Sequence, residues 1–134
     1  MDKPSVLIVD DEACIRHALQ RWLQVRGFDA DVAEDGDVAI EKCRSRTYDV
    51  ITMDLDMPRM NGVAAMAEIK RLCPDVGIVV FTGYPKELGE VLVSGVTKVL
   101  VKPLRLGEFE SEIRNILAES QSRSARDENE AAAS

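Results

Sequence analysis

The residues best suited to chemistry are acidic, hydroxyl and amino side chains that each follow a short apolar run. The β-branched stretch Val50 to Met53 ends in the carboxylate of Asp54, and a turn-forming Pro, Asn and Gly follow within a few residues. A carboxylate oxygen at the exit of a strand is a candidate nucleophile. The other residues of this kind are Asp10, Asp11, Thr82 and Lys102.

Apolar runs and helical periodicity alternate along the chain and assign these residues to elements. Strands are predicted at Ser5 to Val9, Phe28 to Ala33, Val50 to Met53, Gly77 to Phe81 and within Val96 to Val101. Helices are predicted at Glu12 to Arg26, Asp37 to Ser45, Val63 to Leu72, Tyr84 to Ser94, on a weak pattern, and Gly107 to Glu119. The alternation predicts an α/β fold with a doubly wound, five-stranded parallel sheet and helices on both faces.

In such a sheet the carboxyl ends of the strands lie along one edge, where ligand sites form. Three carboxylates that converge there need a cation among them, because like charges raise one another's pKa. Oxygen ligands of this kind suit Mg²⁺. Lys102 supplies a point charge and Thr82 a hydrogen-bond donor. Together these residues predict in-line phosphoryl transfer onto Asp54. Each residue alone is weak evidence for such a site, because an Asp pair after a strand is often only a helix N-cap.

Composition and charge limit the classes of protein to which the chain can belong. The 134 residues, 46 % of them hydrophobic, suit one domain, and the formal net charge of -7 argues against a nucleic-acid-binding surface. The sequence shows no signal peptide and no run near the roughly 18 apolar residues of a membrane span, which predicts a cytoplasmic protein.

Several side chains are interpreted as structural. The first helix is predicted to bury Ile15, Ala18, Leu19, Trp22 and Leu23 and to leave His17 exposed. The wide spacing of Cys14, Cys43 and Cys73 argues against a zinc site and predicts reduced cysteines that fill the core.

Four motifs together resemble the receiver domain of bacterial two-component response regulators, the CheY-like family. They are the pair Asp10 and Asp11, the stretch DLDMPRMNG from Asp54 to Gly62, the pair Thr82 and Gly83, and the pair Lys102 and Pro103. The resemblance covers residues 4 to 119, with the flavodoxin-like strand order 2-1-3-4-5. Residues 120 to 134 lack bulky apolar side chains and are predicted to be a disordered tail or the stub of a linker.

The resemblance implies a role for each site residue. Asp54 is expected to accept a phosphoryl group from the phosphohistidine of a sensor histidine kinase or of a histidine phosphotransfer protein. Mg²⁺ is expected to bind Asp11, Asp54 and the backbone carbonyl of Asp56, with Asp10 bound through water.

The resemblance also implies a switch. Thr82 is expected to move towards the phosphoryl group and to change the surface formed by the fourth predicted helix, the fifth strand and the last helix. The same surface is a candidate homodimer face, and a cis peptide bond is expected between Lys102 and Pro103.

Three departures from the family pattern concern this switch. The position three residues before Lys102 is Val99, where the family usually has an aromatic ring that rotates. The stretch between Thr82 and Lys102 is short, which is consistent with a shortened fourth helix. Asp56 and Tyr84 stand where the family tunes phosphoryl lifetime, and Tyr84 is predicted to shield the phosphoryl group from water.

Two other functions are compatible with parts of this pattern. Asp54 and Asp56 form a DxD like that of haloacid-dehalogenase-type phosphatases, but those enzymes place the acidic pair last and this chain places it first. The other alternative is a pseudo-receiver that binds a partner without phosphorylation. The favoured interpretation is a module that is not an enzyme beyond phosphorylating and dephosphorylating itself, either stand-alone or cut from a longer regulator.

Overall fold

The computed structural model describes residues 3–56, 62–84, 96 and 98–133, and its centre is a five-stranded parallel sheet with the order β2-β1-β3-β4-β5. The strands are β1 (Ser5–Val9), β2 (Asp29–Ala33), β3 (Val50–Asp54), β4 (Gly77–Thr82) and β5 (Lys98–Val101). The helices are α1 (Ala13–Val25), α2 (Gly36–Ser45), α3 (Gly62–Leu72) and α4 (Leu106–Ala133). The predicted fold class and strand order are confirmed.

The strands β3 and β4 are buried along their whole length. Such burial on both faces explains why these strands are mainly apolar and do not alternate between apolar and polar residues, although Thr52, Asp54 and Thr82 are buried polar residues within them. In the parallel register Asp54 lies opposite Phe81, and Thr82 lies opposite Val101. This register brings the ends of β3, β4 and β5 to the same edge of the sheet.

Each face of the sheet has its own core, because successive side chains of a strand point to opposite faces. On one face Leu7 and Val9 of β1 belong to a buried cluster with residues of α2 and α3. On the other face Val6 and Ile8 belong to a second cluster, which contains Leu23 of α1 and residues of α4. The sheet edge is therefore held from both sides by packed helices.

Two helix boundaries follow from local sequence. The carboxylate of Asp35 accepts a hydrogen bond from the backbone N–H of Val38, which caps α2. Gly27 has a φ of 95°, a left-handed conformation that a glycine adopts without strain, and it ends the first helix as predicted.

The burial predicted for the first helix is only partly correct. Leu23 is fully buried and His17 is exposed, as predicted, but Ile15 is 40 % exposed and Ala18 is also exposed. Periodicity identifies the inner face of a helix but not how much of its length the sheet covers. The prediction of three core cysteines is wrong for the exposed Cys14, which lies in the first turn of α1.

Two predictions concern the ends of the weaker elements. The last helix does not stop at Glu119 but continues to Ala133, because no Gly or Pro interrupts this part of the chain. The loss of bulky apolar residues therefore does not mark the end of the helix, while the division into a receiver domain at residues 4 to 119 and a tail or linker stub at residues 120 to 134 stays a prediction. The fourth helix predicted from Tyr84 to Ser94 lies outside the described residues, apart from Tyr84.

The structure also bears on a membrane location. Among the described residues, no helix combines the length and the apolar character that crossing a membrane requires.

Candidate functional site

The predicted site residues lie at the carboxyl edge of the sheet, each at the end of a strand. Asp10 follows β1, Asp54 is the last residue of β3, Thr82 is the last residue of β4, and Lys102 follows β5. Asp10, Asp54 and Thr82 are buried, with exposures of 4 %, 3 % and 1 %. The structure therefore brings together the groups that the sequence placed on separate strands.

Three carboxylates form an acidic cluster at this edge, namely Asp10, Asp11 and Asp54. Each offers an oxygen, and these oxygens lie within 4.8 Å of one another. The carboxylate of Asp10 accepts a hydrogen bond of 2.9 Å from the backbone N–H of Glu12. Burial nevertheless raises the pKa of Asp10, and the nearby charge of Asp54 raises it further.

The buried carboxylate of Asp54 is held by two donors. Its Oδ1 accepts a 2.8 Å hydrogen bond from Nζ of Lys102 and a 2.8 Å hydrogen bond from the backbone N–H of Asp56. The predicted cis peptide bond between Lys102 and Pro103 is confirmed, and the backbone N–H of Lys102 donates to the carbonyl of Thr82. Partial burial lowers the pKa of the Lys102 ammonium, but its bonds to Asp54 and Asp56 outweigh burial and raise that pKa.

The side chain of Asp56 makes contacts that the sequence did not reveal. Its Oδ1 accepts a 2.9 Å hydrogen bond from the hydroxyl of Thr82, and its Oδ2 accepts a 2.8 Å hydrogen bond from the backbone N–H of Gly83. Nζ of Lys102 lies 3.2 Å from the same Oδ2. Burial raises the pKa of Asp56, but the three donors outweigh it and lower that pKa.

The donor set at this edge fits a hard divalent cation. The three clustered ligands are all oxygens and two of them are buried, and burial together with the nearby charge of Asp54 raises the pKa of Asp10. These are the conditions that favour Mg²⁺ over the softer transition metals. Asp10, Asp11 and Asp54 are the side chains that would hold it.

The two remaining predicted positions, Tyr84 and Val99, are both partly exposed to solvent. The backbone N–H of Tyr84 donates to the hydroxyl of Thr82, and the residue is 62 % exposed. Val99 lies on β5 and is 37 % exposed, so an aliphatic side chain occupies the position of the usual aromatic switch. The predicted shielding role of Tyr84 stays a prediction.

Two participants in the site were not predicted from the sequence. The Asp56 side chain was not expected to contact Thr82, and the backbone of Gly83 was not expected to bind Asp56. The available signal was the DxD spacing, which places a second carboxylate two residues after Asp54.

Comparison with known proteins gives a family match over most of the chain. A family model for the response regulator receiver domain matches residues 6–114. The transcriptional regulatory protein ZraR of Escherichia coli O157:H7 is 31 % identical over 119 residues, which cover 87 % of this chain and 27 % of ZraR. The transcriptional regulatory protein PrrA of Mycobacterium tuberculosis is 30 % identical over 116 residues, covering 85 % of this chain and 50 % of PrrA. The chain thus spans about a quarter to a half of the length of these relatives.

Solved structures give the same picture of the fold. A CheY-like receiver domain protein from Methanospirillum hungatei superposes with a TM-score of 0.83 at 21 % identity, covering 91 % of this chain and 99 % of that one. The chemotaxis protein CheY4 of Vibrio cholerae superposes with a TM-score of 0.78 at 28 % identity, covering 86 % and 99 %.

Proposed function

The chain belongs to the family of response regulator receiver domains, and on that premise we propose that Asp54 is its phosphoacceptor. One observation carries the assignment to this residue. Asp54 is a buried carboxylate that lies beside two other carboxylates and is bonded directly to the ammonium of Lys102. The same edge of the sheet supplies the hydroxyl of Thr82.

In the proposed reaction an oxygen of Asp54 attacks the phosphorus of a phosphohistidine. The new bond joins the carboxylate oxygen to phosphorus, the P–N bond breaks, and its electron pair stays on the departing imidazole. Lys102 neutralises charge on the phosphoryl oxygens, and burial of Asp54 limits the access of competing water. Bound Mg²⁺, held by Asp10, Asp11, Asp54 and the backbone carbonyl of Asp56, would supply further charge neutralisation.

The proposed partners follow from this chemistry. The phosphoryl donor is a sensor histidine kinase or a histidine phosphotransfer protein in the cytoplasm, and the protein turns over no separate substrate. The matched relatives ZraR and PrrA are named as transcriptional regulators. The net charge of this chain, -7, is unfavourable for contact with nucleic acid. Any control of transcription would therefore come from regions outside this chain.

The proposed readout is a change in the region between Thr82 and Lys102. A phosphoryl group on Asp54 would draw new hydrogen bonds from donors on β4 and after β5, which shifts the population between two packings of the adjoining surface. That surface, with β5 and α4, is also the proposed homodimer face. Because position 99 is Val99, we expect this switch to work without a rotating aromatic ring at that position.

The phosphatase and the phosphorylation-independent module gain no support from the matched family or relatives, which are response regulators. Both remain distinguishable by experiment, since a phosphatase releases phosphate continuously and a pseudo-receiver takes up none.

The proposal is tested by treating the protein with acetyl phosphate and measuring its intact mass. With Mg²⁺ present, we expect a gain of one phosphoryl group, and with a chelator in its place we expect little gain. Continuous release of phosphate far above the amount of protein would favour the phosphatase. A complete lack of mass gain with Mg²⁺ would favour the phosphorylation-independent module.

A further inference from the structure

Three hydrogen-bond donors converge on the carboxylate of Asp56. The hydroxyl of Thr82 donates to one oxygen at 2.9 Å, and the backbone N–H of Gly83 donates to the other at 2.8 Å. The ammonium of Lys102 lies 3.2 Å from that second oxygen. A hydroxyl, an amide and an ammonium around one anion form a binding site for a tetrahedral or planar oxyanion.

The same donors are those that a phosphoryl group on Asp54 would need. Lys102 connects the two sites directly, because its Nζ contacts both Asp54, at 2.8 Å, and Asp56, at 3.2 Å. Thr82 supplies the hydroxyl among the four strand-end residues, and that hydroxyl is bonded to Asp56. The carboxylate of Asp56 and a phosphoryl group on Asp54 would therefore need the same donors, which cannot bind both anions at once.

The position of Asp56 in the chain makes this competition local. Its backbone N–H donates to Oδ1 of Asp54, so the two carboxylates are fixed on the same turn after β3. The carboxylate of Asp56 also lies against the backbone of Gly83: a Cβ atom at position 83 would be in van der Waals contact with Oδ2 of Asp56, at 3.6 Å.

We infer that the carboxylate of Asp56 is a built-in competitor of the phosphoryl group, which occupies the donors of Thr82, Gly83 and Lys102 until Asp54 is phosphorylated. The inference rests on the proposed function of Asp54. Phosphorylation then requires Asp56 to withdraw, since two anions cannot share these donors without strong repulsion.

This competition has a consequence for the switch. Thr82 is held inward in the unphosphorylated chain, because its hydroxyl donates to Asp56 and accepts from the backbone N–H of Tyr84. The signal produced by phosphorylation is therefore the exchange of Asp56 for the phosphoryl group as the partner of Thr82, together with the release of the Asp56 side chain.

The test compares the wild type with Asp56→Asn, which keeps the shape of the side chain and its backbone but removes its charge. The matched control is Glu34→Gln, which removes an exposed carboxylate that directly follows β2 at the same edge of the sheet. The first measurement is the rate of mass gain with acetyl phosphate and saturating Mg²⁺. We expect Asp56→Asn to react about fivefold to tenfold faster than the wild type, and Glu34→Gln to change the rate less than about twofold.

The second measurement is the amide resonance of Gly83 in unphosphorylated protein, which reports on the contact itself. It is expected to shift in Asp56→Asn and to stay in place in Glu34→Gln. An Asp56→Asn rate equal to or below that of the wild type, or an unmoved Gly83 resonance, would overturn the inference and leave Asp54 as the phosphoacceptor. If neither the wild type nor any variant gains mass, the proposed function fails and the competition fails with it. Mass gain in Asp56→Asn alone would support a competitor strong enough to block the reaction.

Discussion

Asp10 is a site carboxylate whose ionised form is disfavoured by burial. It is 4 % exposed and lies beside Asp11 and Asp54, and the ammonium of Lys102 is bonded to Asp54 and not to Asp10. Burial and these neighbouring charges raise its pKa. A buried carboxylate that is not paired with a cation favours the binding of a metal ion, and it lowers the stability of the metal-free protein.

The substitution Asp10→Asn is therefore expected to stabilise the metal-free protein at pH 7 by roughly 1 kcal/mol. Because the pKa is raised on folding, the ionised carboxylate destabilises the native state above the unfolded pKa. The gain should grow as the pH rises from about 4 and vanish below it. Urea unfolding at several pH values measures it, with Glu34→Gln as the control.

A loss of stability in Asp10→Asn at neutral pH would contradict this explanation. Excess Mg²⁺ supplies a further check on the same residue, because it should stabilise the wild type more than the variant.

At the scale of elements, one buried carboxylate joins the first and last helices. Glu110 of α4 is 6 % exposed and accepts hydrogen bonds from Nε1 of Trp22, at 3.1 Å, and Nε of Arg26, at 2.9 Å. Nε of Arg114 donates to its other oxygen at 2.8 Å. These contacts fix α1 against α4 on the face of the sheet that both helices cover.

The substitution Glu110→Gln should destabilise the protein at pH 7 by about 1 kcal/mol, a modest value because both arginines are half-exposed to water. The Arg114 contact lowers the pKa of Glu110, burial opposes it, and Arg26 lowers it further. A lowered pKa gives stability that is present above the unfolded value and is lost as the pH falls. The difference between variant and wild type should therefore shrink in acid, as at Asp10, but with the opposite sign, because the Glu110 carboxylate stabilises the native state and the Asp10 carboxylate destabilises it.

The control for this prediction is Glu112→Gln on the same helix, whose ion pair with Lys98 is long, at 3.9 Å. It should change the free energy of unfolding by less than about 0.5 kcal/mol. A pH-independent loss in Glu110→Gln would show that packing, and not charge, makes the contribution.

At the scale of the whole molecule, the elements that could be predicted from sequence are those with a complete local signal. The strands β1 and β4 contain the uninterrupted apolar runs Val6 to Val9 and Ile78 to Phe81, and each run is followed directly by a polar residue of the site, Asp10 or Thr82. The order of the strands came from the resemblance to receiver domains, because periodicity cannot show which strands are neighbours.

The features that could not be predicted depend on tertiary surroundings. The exposure of Ile15 depends on how far the sheet extends under α1. The contact of Asp56 with Thr82 depends on the path of the backbone after β3, which the DxD spacing alone does not specify. The helix α4 is longer than its apolar pattern predicts, because apolar residues mark the part of a helix that packs on the core and not the point where the helix ends.

The switch prediction also belongs to the whole molecule. Beryllofluoride with Mg²⁺, as a stand-in for the phosphoryl group, is expected to change hydrogen exchange in peptides that cover residues 82 to 102. Peptides from β2, at the far edge of the sheet, should change much less. Unchanged exchange between 82 and 102 in protein that binds beryllofluoride would rule out this region as the readout.

The most direct test of the central claim, that Asp54 accepts the phosphoryl group, is the intact mass of Asp54→Ala beside the wild type after treatment with acetyl phosphate and Mg²⁺. The wild type is expected to gain one phosphoryl mass and Asp54→Ala none, while Asp56→Asn, altered two residues away, should still gain it. An Asp54→Ala protein that gains the phosphoryl mass as the wild type does would contradict the claim.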